Sequence, residues 1–188
     1  MTNRYVSGFL WLDKLGLAAR HGYKLVARQD FYGGNYPLIT DMLQPTPDYW
    51  LSHVFKQLVG RQVLKVDINT TRKTGERFRV YGHCTSPRAN YSAGSITLYM
   101  VNIYAGAVDF YLDSQFYGST ADLYLMTSPK GDLLSPNVEL NGQMLQLVDD
   151  MTLPKLMGKQ VSLNEKLSIE ALSYGFVVLK QANAKACH

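Results

Sequence analysis

From residue 63 to the end, the sequence is a series of short apolar runs separated by turn residues. VLKVDI, FRVYGHC, ITLYMVNIY, AVDFYL and DLYLMTS follow one another. VELNGQMLQLV then places Asn141-Gly142 between alternating apolar positions, a strong hairpin signal. SIEALSYGFVVLKQ, residues 168–181, reads as one longer final strand. Seven or eight strands at this spacing predict an antiparallel β-sandwich over residues 63–188. The 13 tyrosines agree, because aromatic side chains favour pleated, half-buried surfaces.

Residues 1–62 follow a different pattern, with the boundary expected near residues 60–63. Phe9, Leu10, Leu12, Leu15 and Leu17 share a broad helical stripe, with Ser7 as its expected N-cap and Gly22 just past its end. KLVARQ, residues 24–29, reads as a short strand apolar on both faces, as in parallel sheets. A loop with two glycines and two prolines follows, residues 30–45. A second helix is expected from Thr46-Pro47, with Trp50, Leu51, Val54, Phe55 and Leu58 on its apolar face and Gly60 closing it. A lone strand of this kind needs parallel neighbours, and the chain supplies none with a crossover. Helix, strand, loop and helix are what the last unit and a half of a (β/α)₈ barrel would look like. The expected fold class is therefore an α+β fragment, the end of such a barrel over 1–62 followed by the sandwich over 63–188.

Composition narrows function less. With 46% hydrophobic and 18% charged residues the chain is globular. The net charge of +4 suits a polyanion without demanding one, and nucleic acid is not expected. No apolar run reaches the length of a membrane span, and no signal peptide is expected in this segment. Asn69 and Asn90 each head an N-x-S/T sequon, a glycan acceptor only in a secreted chain. Two cysteines, Cys84 and Cys187, leave one bridge and two buried thiols equally open.

Catalytic signatures are sparse. His21, His53, His83 and His188 lack metal-ligand spacing, and no P-loop, GxGxxG or GxSxG element occurs. Neither a metal nor a cofactor is expected. Asp149-Asp150 reads as a turn rather than a working carboxylate pair, because adjacent strand residues face opposite ways. Lys65, Arg72, Lys73, Arg77 and Arg79 form a basic stretch able to attract sulfate or phosphate, or simply a solvated face. If residues 24–29 end a barrel strand, function belongs in Gln29 and the loop after it. There Gly33 and Gly34 let backbone approach a ligand, and Asn35 and Tyr36 offer hydrogen bonds and a ring, as a sugar requires. Read without further context, a simple turn that needs two glycines is the favoured reading.

SGFLWLDKLGLAARHG, RQDFYGGNYPL and PDYWLSHVFKQLVG, then RFRVYGHCTS, ITLYMVNIY, VELNGQMLQLVDDMTLPKLMGK and ALSYGFVVLKQANAKAC, resemble the C-terminal portion of the heparanases, glycoside hydrolase family 79. The resemblance runs from about Val6 to Cys187. It implies a barrel with a packed β-sandwich, and a retaining endo-β-glucuronidase of heparan sulfate using two glutamates. Glu76, Glu139, Glu165 and Glu170 match neither catalytic motif, so the chain by itself is expected to be inactive, with its partner the missing N-terminal part of the barrel. The resemblance assigns Gln29, Gly34 and Tyr36 to the glucuronate subsite, in a loop one residue shorter than the family's form. It also implies a Cys84–Cys187 disulfide and a secreted, extracellular-matrix or lysosomal protein. Two alternatives stand beside it. One is a non-catalytic product that binds heparan sulfate or heparin as a decoy; the other is a structural interaction domain with no carbohydrate ligand.

Overall fold

A computed structural model of the chain describes residues 2–70, 76–164 and 166–188. Helix α1, Ser7–Arg20, ends as the sequence predicts. Gly22 takes a φ of 77°, and the amides of Gly22 and Tyr23 reach back to the carbonyls of Ala19 and Ala18, each at 3.0 Å. These two bonds satisfy carbonyls that the helix end would leave open. The start differs from expectation. Residues 4–6 already turn, so Ser7 lies inside the first turn and donates its hydroxyl to the Arg4 carbonyl (2.7 Å) rather than capping.

Helix α2, Pro47–Leu58, starts as expected, with Thr46 accepting from the Tyr49 amide and Pro47 in the first turn. Gly60 does not close it. The helix passes directly into strand β1, Val59–Leu64, and a Cβ at Gly60 would stand 2.5 Å from the Cys84 carbonyl oxygen. That glycine serves close strand approach instead of a helix cap.

The remaining strands are β2 (Phe78–Thr85), β3 (Ile96–Asn102), β4 (Val108–Phe110), β5 (Thr120–Thr127) and β6 (Glu139–Leu140). After them come β7 (Gln143–Met144), β8 (Lys159–Ser162), β9 (Leu167–Ile169) and β10 (Ser173–Leu179). One antiparallel sheet runs β1-β2-β3-β10-β5-β6-β7, with β8 also on β5; β4 and β9 make a small second sheet. Asn141-Gly142 forms the predicted hairpin turn between β6 and β7, both residues at positive φ. The expected single strand over 168–181 is broken. Leu172 at φ 50° divides it into β9 and β10, which belong to different sheets. The side-chain amide of Asn102 holds that break by donating to the carbonyls of Ile169 and Glu170.

Register explains the layers. Tyr81, Tyr99, Phe176 and Tyr124 are successive cross-strand partners and share one face. Tyr5, Phe9 and Leu12 of the N-terminal segment and Trp50, Leu51 and Val54 of α2 bury against that face. On the opposite face Leu98, Met100, Leu125 and Val177 pack under Leu167 and Ile169 of β9. The main sheet therefore lies between a helical layer and a small second sheet. The helices have no core apart from the sheet: their buried side chains belong to the same cluster as those of β2, β3, β5 and β10. Cys84 and Cys187 are joined in a disulfide, 103 residues apart.

Residues 24–29 do not form the expected strand. They run as irregular chain, with Leu25 80% exposed. An apolar strand needs parallel neighbours on both sides, and this antiparallel sheet offers it none. No helix among the described residues is long and apolar enough to cross a membrane.

Candidate functional site

The segment 28–37 is held by bonds at both ends. Arg28 leaves the exposed stretch and points inward, its side chain 14% exposed. Nη1 stands 2.7 Å from Oδ2 of Asp48, at the start of α2. Nη2 donates to the Tyr36 carbonyl (3.2 Å), and the guanidinium lies over the Trp11 ring of α1, 5.1 Å from its centroid. Trp11 Nε1 donates to Ser52 Oγ (2.9 Å), which donates to the Asp48 carbonyl (2.7 Å). Asp48 is fully buried. Burial raises its pKa, while the Arg28 charge acts in the opposite direction.

Beyond Arg28 the chain doubles back. The amides of Leu38 and Ile39 donate to the carbonyls of Asp30 and Phe31, and the Gly33 amide donates to the Ile39 carbonyl. Gly33 and Gly34 both have positive φ, at 62° and 75°. A Cβ on Gly34 would meet the Asp30 carboxylate at 2.5 Å, so Asp30 folds directly over that glycine. Thr2 Oγ1 donates to the Asn35 carbonyl (2.7 Å). The three residues singled out in the sequence share this loop, and two of them touch. Tyr36 Oη donates to Gln29 Oε1 at 3.4 Å, and Gly34 lies between them on the same exposed loop. An exposed ring beside a side-chain amide is a surface suited to hydroxyl-rich ligands.

The basic stretch is not one free patch. Arg79 pairs with Asp13 of α1, Lys65 pairs with Asp67, and Arg77 lies over the Tyr104 ring at 5.7 Å. Arg72 and Lys73 fall outside the described residues. Asp149 behaves as a turn residue, its carboxylate accepting from the amides of Met151 and Thr152 and from the Thr152 hydroxyl. Glu139 lies in β6 and Glu170 in the turn before β10, whereas Glu165 is outside the described residues. Asn69 and Asn90 are both exposed, Asn90 at φ 56°; Thr71 of the first sequon is not among the described residues. No cluster of three metal-ligating side chains occurs among the described residues.

His83 is buried between strands, with Nδ1 2.8 Å from the Gly60 carbonyl and Nε2 3.2 Å from the Tyr99 hydroxyl. The carbonyl can only accept, which places the proton on Nδ1. Burial lowers its pKa, partly offset by the bond to Gly60.

No family model matches the chain. Single relatives do, over its full length. Heparanase of Gallus gallus is 43% identical over 190 residues, covering 100% of this chain and 36% of that protein. The chain belongs to the heparanase family. Hyaluronoglucuronidase of Hirudo nipponia is 40% identical over 193 residues, 100% of this chain and 38% of that protein. Inactive heparanase-2 of Homo sapiens is 36% identical over 198 residues, 100% of this chain and 33% of that protein. The chain thus spans about a third of the length of these heparanase-family relatives, corresponding to their C-terminal part. Among solved structures, a GH51 α-L-arabinofuranosidase from Thermotoga petrophila superposes with a TM-score of 0.63 at 10% identity, covering 95% of this chain and 39% of that one. At that identity the likeness concerns the fold alone.

Gln29, Gly34 and Tyr36 were singled out in the sequence and lie on one loop, whereas the Arg28–Asp48 pair carried no signal there. Twenty positions separate the two, and no local period links them; only the packing of both helices brings them together.

Proposed function

We propose that this chain is the C-terminal part of a retaining endo-β-glucuronidase of heparanase type, acting on heparan sulfate, and that its share of the active site is the loop carrying Gln29, Gly34 and Tyr36. One observation carries the reading: the similarity to heparanase covers the whole of this chain and only 36% of the relative. Retaining hydrolysis needs an acid/base and a nucleophilic carboxylate about 5–5.5 Å apart. On this reading neither comes from residues 1–188. Residues 1–62 complete a (β/α)₈ barrel begun by other sequence, and residues 63–188 form the packed β-sandwich. Unsatisfied residues 24–29 then find their parallel neighbours in that barrel. A carboxylate pair hydrolyses a glycoside without metal or cofactor. The disulfide and the exposed Asn69 and Asn90 sequons fit an oxidising, secretory route to the matrix or lysosome.

The test is the protein made with the sequence that precedes residue 1 in its own transcript. It is given heparan sulfate and, separately, hyaluronan, the uronate polymer named in the leech relative. Cleavage of heparan sulfate with the anomeric configuration retained, read by NMR, is the expected result. Absence of turnover on any uronate polymer refutes the enzymatic reading. In that event, salt-dependent retention on heparin would favour a non-catalytic binding protein; one human relative is named inactive.

A further inference from the structure

We infer that Arg28 and Asp48 form a latch that positions the Gln29–Tyr36 pair; the inference rests on the sugar-subsite reading of that loop. The geometry places Arg28 immediately before Gln29 in the chain, while its guanidinium holds the carbonyl of Tyr36 at 3.2 Å. One side chain therefore ties down both ends of the loop segment that carries the two polar groups. Its anchor does not move with the loop. Asp48 is fully buried at the start of α2, and Trp11, on whose ring the guanidinium rests, is itself bonded to Ser52 of the same helix. Arg28, Trp11, Ser52 and Asp48 close a ring of contacts across both helices.

The arrangement uses what is particular to arginine. A planar fork meets a carboxylate with one nitrogen and a carbonyl with another while its face stacks on an aromatic ring. Lysine keeps the charge but presents one nitrogen and no face. Without the tether the Tyr36 carbonyl loses its partner. The Thr2–Asn35 and Leu38–Asp30 bonds remain, but the backbone between Gln29 and Tyr36 carries two positive-φ glycines, and the Tyr36 hydroxyl has a single 3.4 Å bond to Gln29. The latch therefore orders the loop before a ligand arrives, which lowers the entropy lost on binding. Arg28 is a positioning residue and does not itself touch the sugar.

The test compares wild type with R28K and with the double variant R28M/D48N, which removes the pair without stranding a buried charge. Two readouts are needed. Amide exchange at Gly33, Leu38 and Ile39 reports loop order, and strand amides from Thr97 to Met100 serve as the folded reference. Titration with an unsulfated glucuronate-containing tetrasaccharide, followed by shifts of the Gln29 side-chain amide, reports the subsite; Q29A is the control. Exchange at the three loop amides is expected to rise at least about tenfold in the double variant and less in R28K, with the strands unchanged and sugar affinity falling several-fold. Unchanged loop exchange overturns the latch. Faster exchange with wild-type affinity in R28M/D48N, while Q29A loses binding, overturns the positioning role. No binding by wild type, or equal binding by Q29A, overturns the sugar reading of the loop, and the exchange result then still decides whether the latch exists.

Discussion

Gly16 lies in the middle of α1, where glycine in place of alanine ordinarily costs about 0.5–1 kcal/mol. Here the small residue is required. A Cβ would stand 2.3 Å from the Tyr81 ring. That ring cannot retreat, because its hydroxyl donates to Asp13 at 2.6 Å and its face stacks on Tyr99 at 5.4 Å. Gly16→Ala should therefore destabilise by about 1–3 kcal/mol, the range for overpacking, against the helix-propensity trend. A urea midpoint that rises on substitution would show that the helix can lift away from the sheet. His83 gives a pH dependence. Its folded pKa is lowered chiefly by burial, so the unfolded chain binds the proton more readily. The contribution is complete above the unfolded value of about 6.5 and is lost as pH falls through that value toward the folded one. His83→Gln should flatten the decline of the urea midpoint between pH 7 and pH 5. An unaltered slope would assign that decline to other groups, His53 among them, whose pKa burial also lowers.

At the level of elements, legibility followed how locally each signal acts. The α1 and α2 boundaries at Gly22 and Thr46-Pro47, and the Asn141-Gly142 hairpin, were readable because turn and cap chemistry resides in the residues concerned. The division between β9 and β10 was not, because Leu172 adopts its positive φ under contacts from Asn102, seventy positions away. Residues 24–29 have the composition of a strand, but pairing is a property of neighbours, and none is present among the described residues. In consequence Leu10, Leu17, Tyr23 and Leu25 line an open groove of about 680 Å³ between α1 and this segment. The candidate loop was legible through a family resemblance, and its latch was not legible at all. The disulfide, left open by residue counts, ties the end of β2 to the chain terminus beyond β10. Closing a loop of 103 residues stabilises by up to about 4–5 kcal/mol in the chain-entropy model. Cys84→Ala with Cys187→Ala should lower the unfolding free energy toward that amount, and a loss below about 1 kcal/mol would show that native packing already confines the terminus.

On the scale of the whole molecule, two faces of one antiparallel sheet carry the fold. The helical layer shares its core with that sheet, so α1 and α2 stay ordered although residues 24–29 remain unpaired. That combination, a folded support with one held loop and an apolar segment left unpaired, is what the proposed function requires of a C-terminal part. The four glutamates of the chain, Glu76, Glu139, Glu165 and Glu170, all follow β1 in sequence, and none belongs to the 28–37 loop segment. Losing a nucleophile removes the covalent step itself, which binding energy cannot replace. The most direct measurement is product sizing after the purified 188-residue chain is incubated with end-labelled heparan sulfate at mildly acidic pH. The account predicts an unchanged size distribution. Depolymerisation that co-purifies with the chain and persists through further purification would contradict it, because the carboxylate pair would then have to lie within these residues.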